Sequence, residues 1–565
     1  MPLLFYMDER SEKMRYEASP FEFDEELDCA LHNAWFIDGL HVPDSPDFVA
    51  APWVAEVVTH GFCWAAEEFS LPNCKGIIWR GYKHLRFIIT PKVVDSESEV
   101  REREGKFREN MLRLIREFGP MWEQYKTELL ELYKPFKEYN LEKANTMELA
   151  KKLEELREVG LRMCEIHFWG MYASFSFFML FQEFWKSLGF DPSQQEFSTL
   201  LRGFDNKSFQ CERELWQLSR KVLKLNLVSA FKLPAQEVAP KLQDDEKGAE
   251  WLRDLDDFLD EYGWRCEKCW FPSSPSWRED PKYAIRKIQD YLKLSERTPI
   301  LKNATEEREA AISKVLPRIP ADKKSTFNLL LEGAQHADAF SEEHDLYCEM
   351  QTDALRRLYF LEIGKRFVEA GTIDKVDDIF FLGPDETCKT AFWPEKWHLQ
   401  SLIEERKAKA KADLEEGIPP LVSKKRSDEE AFGYMMQSRD PILIQVIVGE
   451  LPEPKPELNA DLVGVAGAPG IAEGPARVVL TDDQISEVLP GEIMVCPTTT
   501  IAWTTTFSLV EGVVVDRGGL LSHAAVVSRE YGLPCVLNTF VGTSKIKTGQ
   551  RIKVDGTKGA VYILD

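Results

Sequence analysis

His523 has the clearest chemical setting in the sequence. It stands in Gly518-Gly519-Leu520-Leu521-Ser522-His523-Ala524-Ala525, after the β-branched run Val513–Val515 and before a stretch with helical spacing that Gly532-Leu533-Pro534 closes. The pattern predicts strand, glycine turn, helix. Ser522 is a natural N-cap, which puts His523 in the first helical turn. Amide donors without helical partners and the positive end of the helix dipole gather there. Gly518 and Gly519 let the backbone approach an anion, and Arg517 adds a forked cation. A helix start also favours the neutral imidazole that a nucleophile needs. These residues suit a histidine that accepts and passes on a phosphoryl group, with Arg517, Gly518, Gly519 and Ser522 around the phosphate. They would equally make an ordinary capped helix after a glycine turn.

A phosphoryl acceptor needs a base for its hydroxyl proton. Glu342-Glu343-His344, with Tyr347 one turn further, is the best local source, and His344 is the candidate base. The bland alternative is an exposed acidic helix start. His336 is a poorer candidate, with no neighbouring triplet of that kind. Aromatic residues crowd the stretch from Ile166 to Trp185 and would surround a helix, so most of them fill a core. Those left facing a cavity, Trp169 and Phe178 among them, would suit a flat apolar substrate. His167 is either a polar contact to that substrate or a core histidine. Glu342, Glu343, Tyr347, His167, Trp169 and Phe178 are thus the expected substrate contacts. Cys266-Glu267-Lys268-Cys269 offers a zinc pair, but a structural site usually needs four ligands and no second pair lies at suitable spacing. No metal ligand set is expected in the chain.

The chain has 565 residues, enough for two or more domains, and its 44% hydrophobic content is ordinary for a folded protein. With 95 acidic against 71 basic residues the net charge is −24, which argues against nucleic acid or an anionic membrane as main partner. The start, MPLLFYMDERSEK, lacks a basic lead and a long apolar core, so no signal peptide is expected. Eleven scattered cysteines fit free thiols in a reducing cytoplasm. The run Ile166–Gln182 carries no formal charge but falls short of the roughly 20 residues a membrane span needs, and it contains His, Ser and Gln. It reads as a buried helix.

The elements that must hold these residues follow from periodicity. Gly76–Tyr82 and Leu85–Ile89 could pair as strands. Helical patterning runs from Glu99 to about Ser187, with a break expected near Pro135 and one helix or two over Met147–Phe184. It continues in segments to Glu416, one of them beginning near Ala339. Alternate prolines in Leu451-Pro452-Glu453-Pro454-Lys455-Pro456 make a semi-rigid spacer. The expected architecture is a large, mostly α-helical substrate domain (1–450), a proline-rich linker (451–460) and a small β/β/α swivelling domain (461–565).

Several segments carry a family resemblance. GGLLSHAAVVSREYGLPCV resembles the phosphohistidine motif of phosphoenolpyruvate synthase, pyruvate phosphate dikinase and rifampin phosphotransferase. Gly467-Ala468-Pro469-Gly470 with Gly474-Pro475-Ala476-Arg477-Val478 resembles that domain's opening, and Gly549-Gln550, Val554-Asp555-Gly556 and Gly559-Ala560-Val561 its closing hairpin. Pro497-Thr498-Thr499-Thr500-Ile501-Ala502-Trp503 resembles P-x-T-D-P-x-W, departing at Thr500 and Ile501. Tyr262-Gly263-Trp264-Arg265 with Pro275-Ser276-Trp277-Arg278-Glu279-Asp280-Pro281, Leu200-Leu201-Arg202-Gly203, and Arg357 to Gly364 followed by Asp377 to Leu382 resemble the helical substrate domain of rifampin phosphotransferase. The resemblance implies that His523 is phosphorylated. It also implies Mg2+ and ATP. No glycine-rich phosphate loop or ATP-grasp pattern is visible, nor a phosphoenolpyruvate barrel after the histidine, so the nucleotide is expected on a separate ATP-grasp-type subunit. Phenylphosphate synthase is similar in arrangement, and the acceptor is expected to be a small aromatic, phenolic hydroxyl. The alternatives are a non-catalytic binding or regulatory subunit that keeps the domain for docking, and a component that forms phosphoenolpyruvate.

Overall fold

Apolar residues at helical spacing dictate most of the chain. The computed structural model describes residues 22–32, 34–37, 48, 51–82, 86–192, 195–266, 268, 270–294, 304–416, 421–422, 427–443, 452, 455–499 and 501–564. The helices that matter for the sites are α1 (Ala51–Phe69), α2 (Glu97–Lys137), α3 (Thr146–Ser187), α4 (Lys207–Lys224), α5 (Glu246–Tyr262), α6 (Lys282–Leu292), α7 (Lys324–Asp345), α8 (Gln351–Glu369) and α9 (His523–Tyr531). Leu451, Glu453 and Pro454 of the linker, Cys269 of the cysteine pair and Thr500 lie outside the described residues.

Helix α2 begins at Ser96, whose Oγ accepts from the Glu99 amide, and buries Met111, Leu114, Ile115, Phe118 and Trp122 along one stripe. Pro120 and Pro135 both lie inside it, so the break expected at Pro135 comes only after Lys137. The stretch expected as one helix or two is one, α3. Phe168, Trp169, Tyr172, Phe175, Phe177, Phe178, Phe181 and Trp185 on it are all buried. A helix apolar all round is a core helix. No helix among the described residues is long and apolar enough to cross a membrane.

Helix α7 starts at Lys324, fifteen residues before the segment expected from Ala339. The triplet Glu342-Glu343-His344 therefore sits at the helix end, with Glu342 and His344 buried. This replaces the reading of an exposed acidic helix start. One turn of π-helix, Leu346–Met350, joins α7 directly to α8.

The described chain forms two compact units. The first comprises Met1–Ala173, Lys268–Pro275 and His344–Pro441, the second Ser174–Glu267, Ser276–Glu343 and Ile442–Asp565. In the first, a four-stranded sheet is built from β1 (Trp35–Ile37), β2 (Cys74–Tyr82), β3 (Arg86–Val93) and β4 (Leu421–Val422), in the order β2-β3-β1-β4. The expected pair is β2 and β3, antiparallel, with Trp79 opposite Ile89.

In the second unit, β5 (Leu462–Val463), β6 (Val465–Ala468), β7 (Ile471–Val478), β8 (Ile493–Cys496), β9 (Gly512–Val515), β10 (Cys535–Leu537), β11 (Arg551–Asp555) and β12 (Ala560–Ile563) make one sheet, ordered β5-β12-β11-β7-β8-β9-β10-β6. Strand β9 runs parallel to both neighbours and is buried along its length. The alternation of a strand splits it: Val513 and Val515 pack with Ala524, Ala525 and Val527 of α9, and Val514 packs on the other side with Ile493, Val536 and Ile552. The closing hairpin is β11 with β12, Asp555 opposite Ala560.

Candidate functional site

The crossover from β9 through α9 to β10 positions His523. Parallel neighbours need such a crossover, and a helix is the usual solution. Ser522 occupies the N-cap position, with φ −69° and ψ 153°, and its carbonyl accepts from Ala525 and Val526 at 2.9 and 3.0 Å. Its hydroxyl makes no cap bond, against the expectation. The hydroxyl is instead turned toward the loop: a Cβ on Gly518, whose φ is +146°, would lie 3.0 Å from Ser522 Oγ. Gly518 is therefore required by its own backbone and by this approach. Arg517 is anchored by its amide to the Pro497 carbonyl at 3.0 Å, and its side chain is exposed. Loop residues 517–519 and 522 are thus gathered at the start of α9, where the sequence placed them.

The half-buried His523 ring is held at both nitrogens. Nδ1 lies 3.0 Å from Thr499 Oγ1, and Nε2 lies 3.0 Å from Thr504 Oγ1. Phe507 meets the ring edge-on, with centroids 5.7 Å apart. Neutral imidazole has one donor nitrogen and one lone pair, and a threonine hydroxyl can answer either. Sequence reading left both threonines out as site residues. The P-x-T resemblance contained Thr499. Nothing in the sequence pointed to Thr504, because the contact depends on how the loop folds over the ring.

Helix α9 is pinned at its other end. The buried Arg529 donates to the Leu520 carbonyl at 2.6 Å and to Asp338 Oδ1 on α7 at 2.9 Å. Both carboxylate oxygens of Glu530 accept from the Gly203 amide, at 3.0 and 3.1 Å. Burial, and next the Asp338 carboxylate, push the Glu530 carboxyl up to about 8. Burial raises Asp338 too, opposed by Arg529. These contacts explain why the β-rich region and the helices of 174–343 form one compact unit, whereas the sequence division runs through 451–460. Gly203 and Arg202 belong to the L-L-x-G resemblance, so that segment braces α9.

The residues expected around an acceptor divide between the two units. Glu342, Glu343 and Phe178 belong to the second unit, and His344, Tyr347, His167 and Trp169 to the first. Trp169 is stacked on Phe118, centroids 5.0 Å apart, and Phe178 packs edge-on against Phe197. Both are spent on core packing. Glu342 is buried, and its carbonyl accepts from Ser208 Oγ at 2.7 Å. Tyr347 is half-buried, with Lys126 Nζ 5.4 Å from its ring centroid.

His167 and His344 do come together. Their ring centroids are 4.9 Å apart, and Asp345 Oδ1 lies 2.9 Å from His344 Nε2. Glu349, in the π-turn, places Oε1 3.5 Å from His167 Nδ1. Glu349 was missed because it lies in the π-turn, which shifts the register by one residue, and a 3.6-residue pattern cannot show that. Asp345 was missed because adjacent residues on a helix ordinarily face about 100° apart.

Two known families match parts of the chain. One described as "PEP-utilising enzyme, mobile domain" covers residues 488–559, and one described as "Rifampicin phosphotransferase fourth domain" covers residues 165–342. Among curated proteins, the uncharacterized phosphotransferase YvkC of Bacillus subtilis is 28% identical over 73% of this chain and 48% of its own length. The rifampicin phosphotransferase of Bacillus cereus is 28% identical over 56% of this chain and 35% of its own. The phosphoenolpyruvate synthase of Pyrococcus furiosus is 35% identical over 32% of this chain and 22% of its own. The chain thus spans less than half the length of these relatives.

Proposed function

The chain belongs to the phosphoenolpyruvate-utilising family that carries a phosphohistidine mobile domain, and we propose that His523 takes a phosphoryl group originating in ATP and hands it to a hydroxyl of a small acceptor. The observation that carries this reading is the imidazole itself: first residue of a helix, after a glycine turn, with both ring nitrogens 3.0 Å from threonine hydroxyls. A ring oriented in advance needs no reorganisation when the donor arrives. Attack by the ring lone pair forms a P–N bond and releases the donor oxygen with its electron pair. In the second transfer the acceptor oxygen forms the new P–O bond and the nitrogen recovers its pair.

The acceptor's proton goes to a base, and His344, with Asp345 on Nε2, is the proposed one. Loading is assigned to a separate ATP-grasp-type subunit, with Mg2+ on its nucleotide. The acceptor is proposed to be an aromatic, phenolic hydroxyl. Rifampicin, in the name of one relative, is the comparison acceptor.

The test incubates the chain with the partner subunit and ATP labelled in its β- and γ-phosphates. Acid-labile, base-stable label on the wild type is expected. His523→Ala should fold, carry no label and phosphorylate neither phenols nor rifampicin. Label that persists in that variant, or that survives acid, would sink the proposal.

A further inference from the structure

His167 on α3, His344 at the end of α7 and Glu349 in the π-turn each bring one ligand atom to within 4.8 Å of the others. They are 4%, 6% and 8% exposed. Among the described residues no other three His, Cys, Asp or Glu side chains converge in this way. A tetrahedral ion with nitrogen and oxygen ligands at about 2.0–2.1 Å would hold neighbouring donors about 3.3–3.5 Å apart. The His167 Nδ1 to Glu349 Oε1 separation is 3.5 Å, which fits such an edge and is long for a hydrogen bond. Asp345 Oδ1 lies 2.9 Å from His344 Nε2, the carboxylate–imidazole contact that orients a ligating histidine. Glu349 reaches the two rings from a π-turn, a local widening of the helix often found at functional sites.

We propose that His167, His344 and Glu349 bind one divalent transition-metal ion of the zinc class, with Asp345 as positioning residue. Two imidazoles and a carboxylate form a set that such ions take, with a position left open for water or a hydroxyl. Mg2+ prefers an all-oxygen octahedron and is a poor match. The inference goes beyond the phosphotransfer reading and does not depend on it. An ion here takes up the lone pair of His344, so ligand and general base are alternative roles for that residue; with the ion bound, an acceptor hydroxyl on the open position would give its proton to water.

The full chain, stripped with a chelator, is titrated with Co2+ and then Zn2+. Wild type should bind one equivalent of Co2+ with the visible d–d absorption of a tetrahedral site and no thiolate charge-transfer band. Zn2+ should displace it, and a large excess of Mg2+ should not. His344→Gln and Glu349→Gln, each with wild-type circular dichroism, should lose the absorption. Asp345→Ala should weaken binding by about 10–100-fold, and Cys266→Ser should leave the spectrum unchanged. No d–d absorption in wild type, a thiolate band in its place, or an unchanged spectrum in both ligand variants would overturn the proposal. None of these readouts uses phosphate transfer, so failure of the phosphohistidine reading leaves the metal result standing, and the reverse.

Discussion

At the scale of single residues, the two threonines on His523 divide the work of a neutral imidazole. If Nε2 is the attacking nitrogen, Nδ1 carries the ring proton and donates it to Thr499 Oγ1. Thr499→Val should then slow labelling of His523 about tenfold, the worth of one hydrogen bond of about 1.4 kcal/mol. Thr504→Val, which removes only the hydroxyl over the attacking nitrogen, should not slow it. Quenched-flow labelling of the two variants checks this, and the opposite ranking would assign attack to Nδ1. The proposed base invites a different experiment. His344→Gln should leave loading of His523 intact and reduce transfer to the acceptor by about 10²–10⁴-fold. The defect should shrink for more acidic phenols, which ionise unaided. Lost loading in that variant would make His344 structural. Measuring its bound metal in parallel shows whether base or ligand was removed.

At the scale of elements, the α9 helix is held by a carboxyl whose ionisation matters. Glu530 is buried against the Gly203 amide, with Asp338, Arg529 and Arg202 around it. Its ordinary value is 4.5 and its buried value about 8. Between these the buried state keeps its proton while the exposed state is ionised, so packing of α9 on the helices weakens as pH rises through that window. Hydrogen exchange of the α9 amides, corrected for intrinsic rates, should show protection falling from about pH 5 to about pH 8. Glu530→Gln should flatten the profile, and a slope unchanged in that variant would assign it to another group. The same helix shows what the sequence could reveal. Its strand, its glycine turn and its start at His523 were legible because local chemistry fixes them: β-branched residues, a glycine at φ +146°, a serine at the N-cap. That the Ser522 hydroxyl would not cap, and that Arg529 and Glu530 would reach residues 191 and 327 positions away, were not legible. Pairings of that range are set by tertiary packing, and a single sequence carries no local signal for them. The aromatic run of α3 was legible as a core, whereas singling out Trp169 and Phe178 as substrate contacts required knowing which rings lacked partners.

At the scale of the whole molecule, the proposal assigns phosphoryl loading and phosphoryl delivery to different proteins. The isolated chain should neither hydrolyse ATP nor label itself from it. It should still exchange phosphate between a phosphorylated acceptor and the free hydroxyl compound, because that half-reaction uses only His523 and the acceptor site. Isotope exchange at equilibrium reads this directly, and rapid self-labelling from ATP alone would reveal a nucleotide site within these 565 residues. One feature of α9 bears on any exchange of positions by the histidine-bearing region. Near neutrality Glu530 holds a proton where it is buried and loses it to water once exposed. Each excursion that uncovers the helix therefore ejects a proton, and each return takes one up. The two cancel over a full cycle, so the trace is a transient: in weakly buffered solution a pH-indicator dye would register a pulse of acid as α9 is uncovered and its disappearance on return, and Glu530→Gln would silence both.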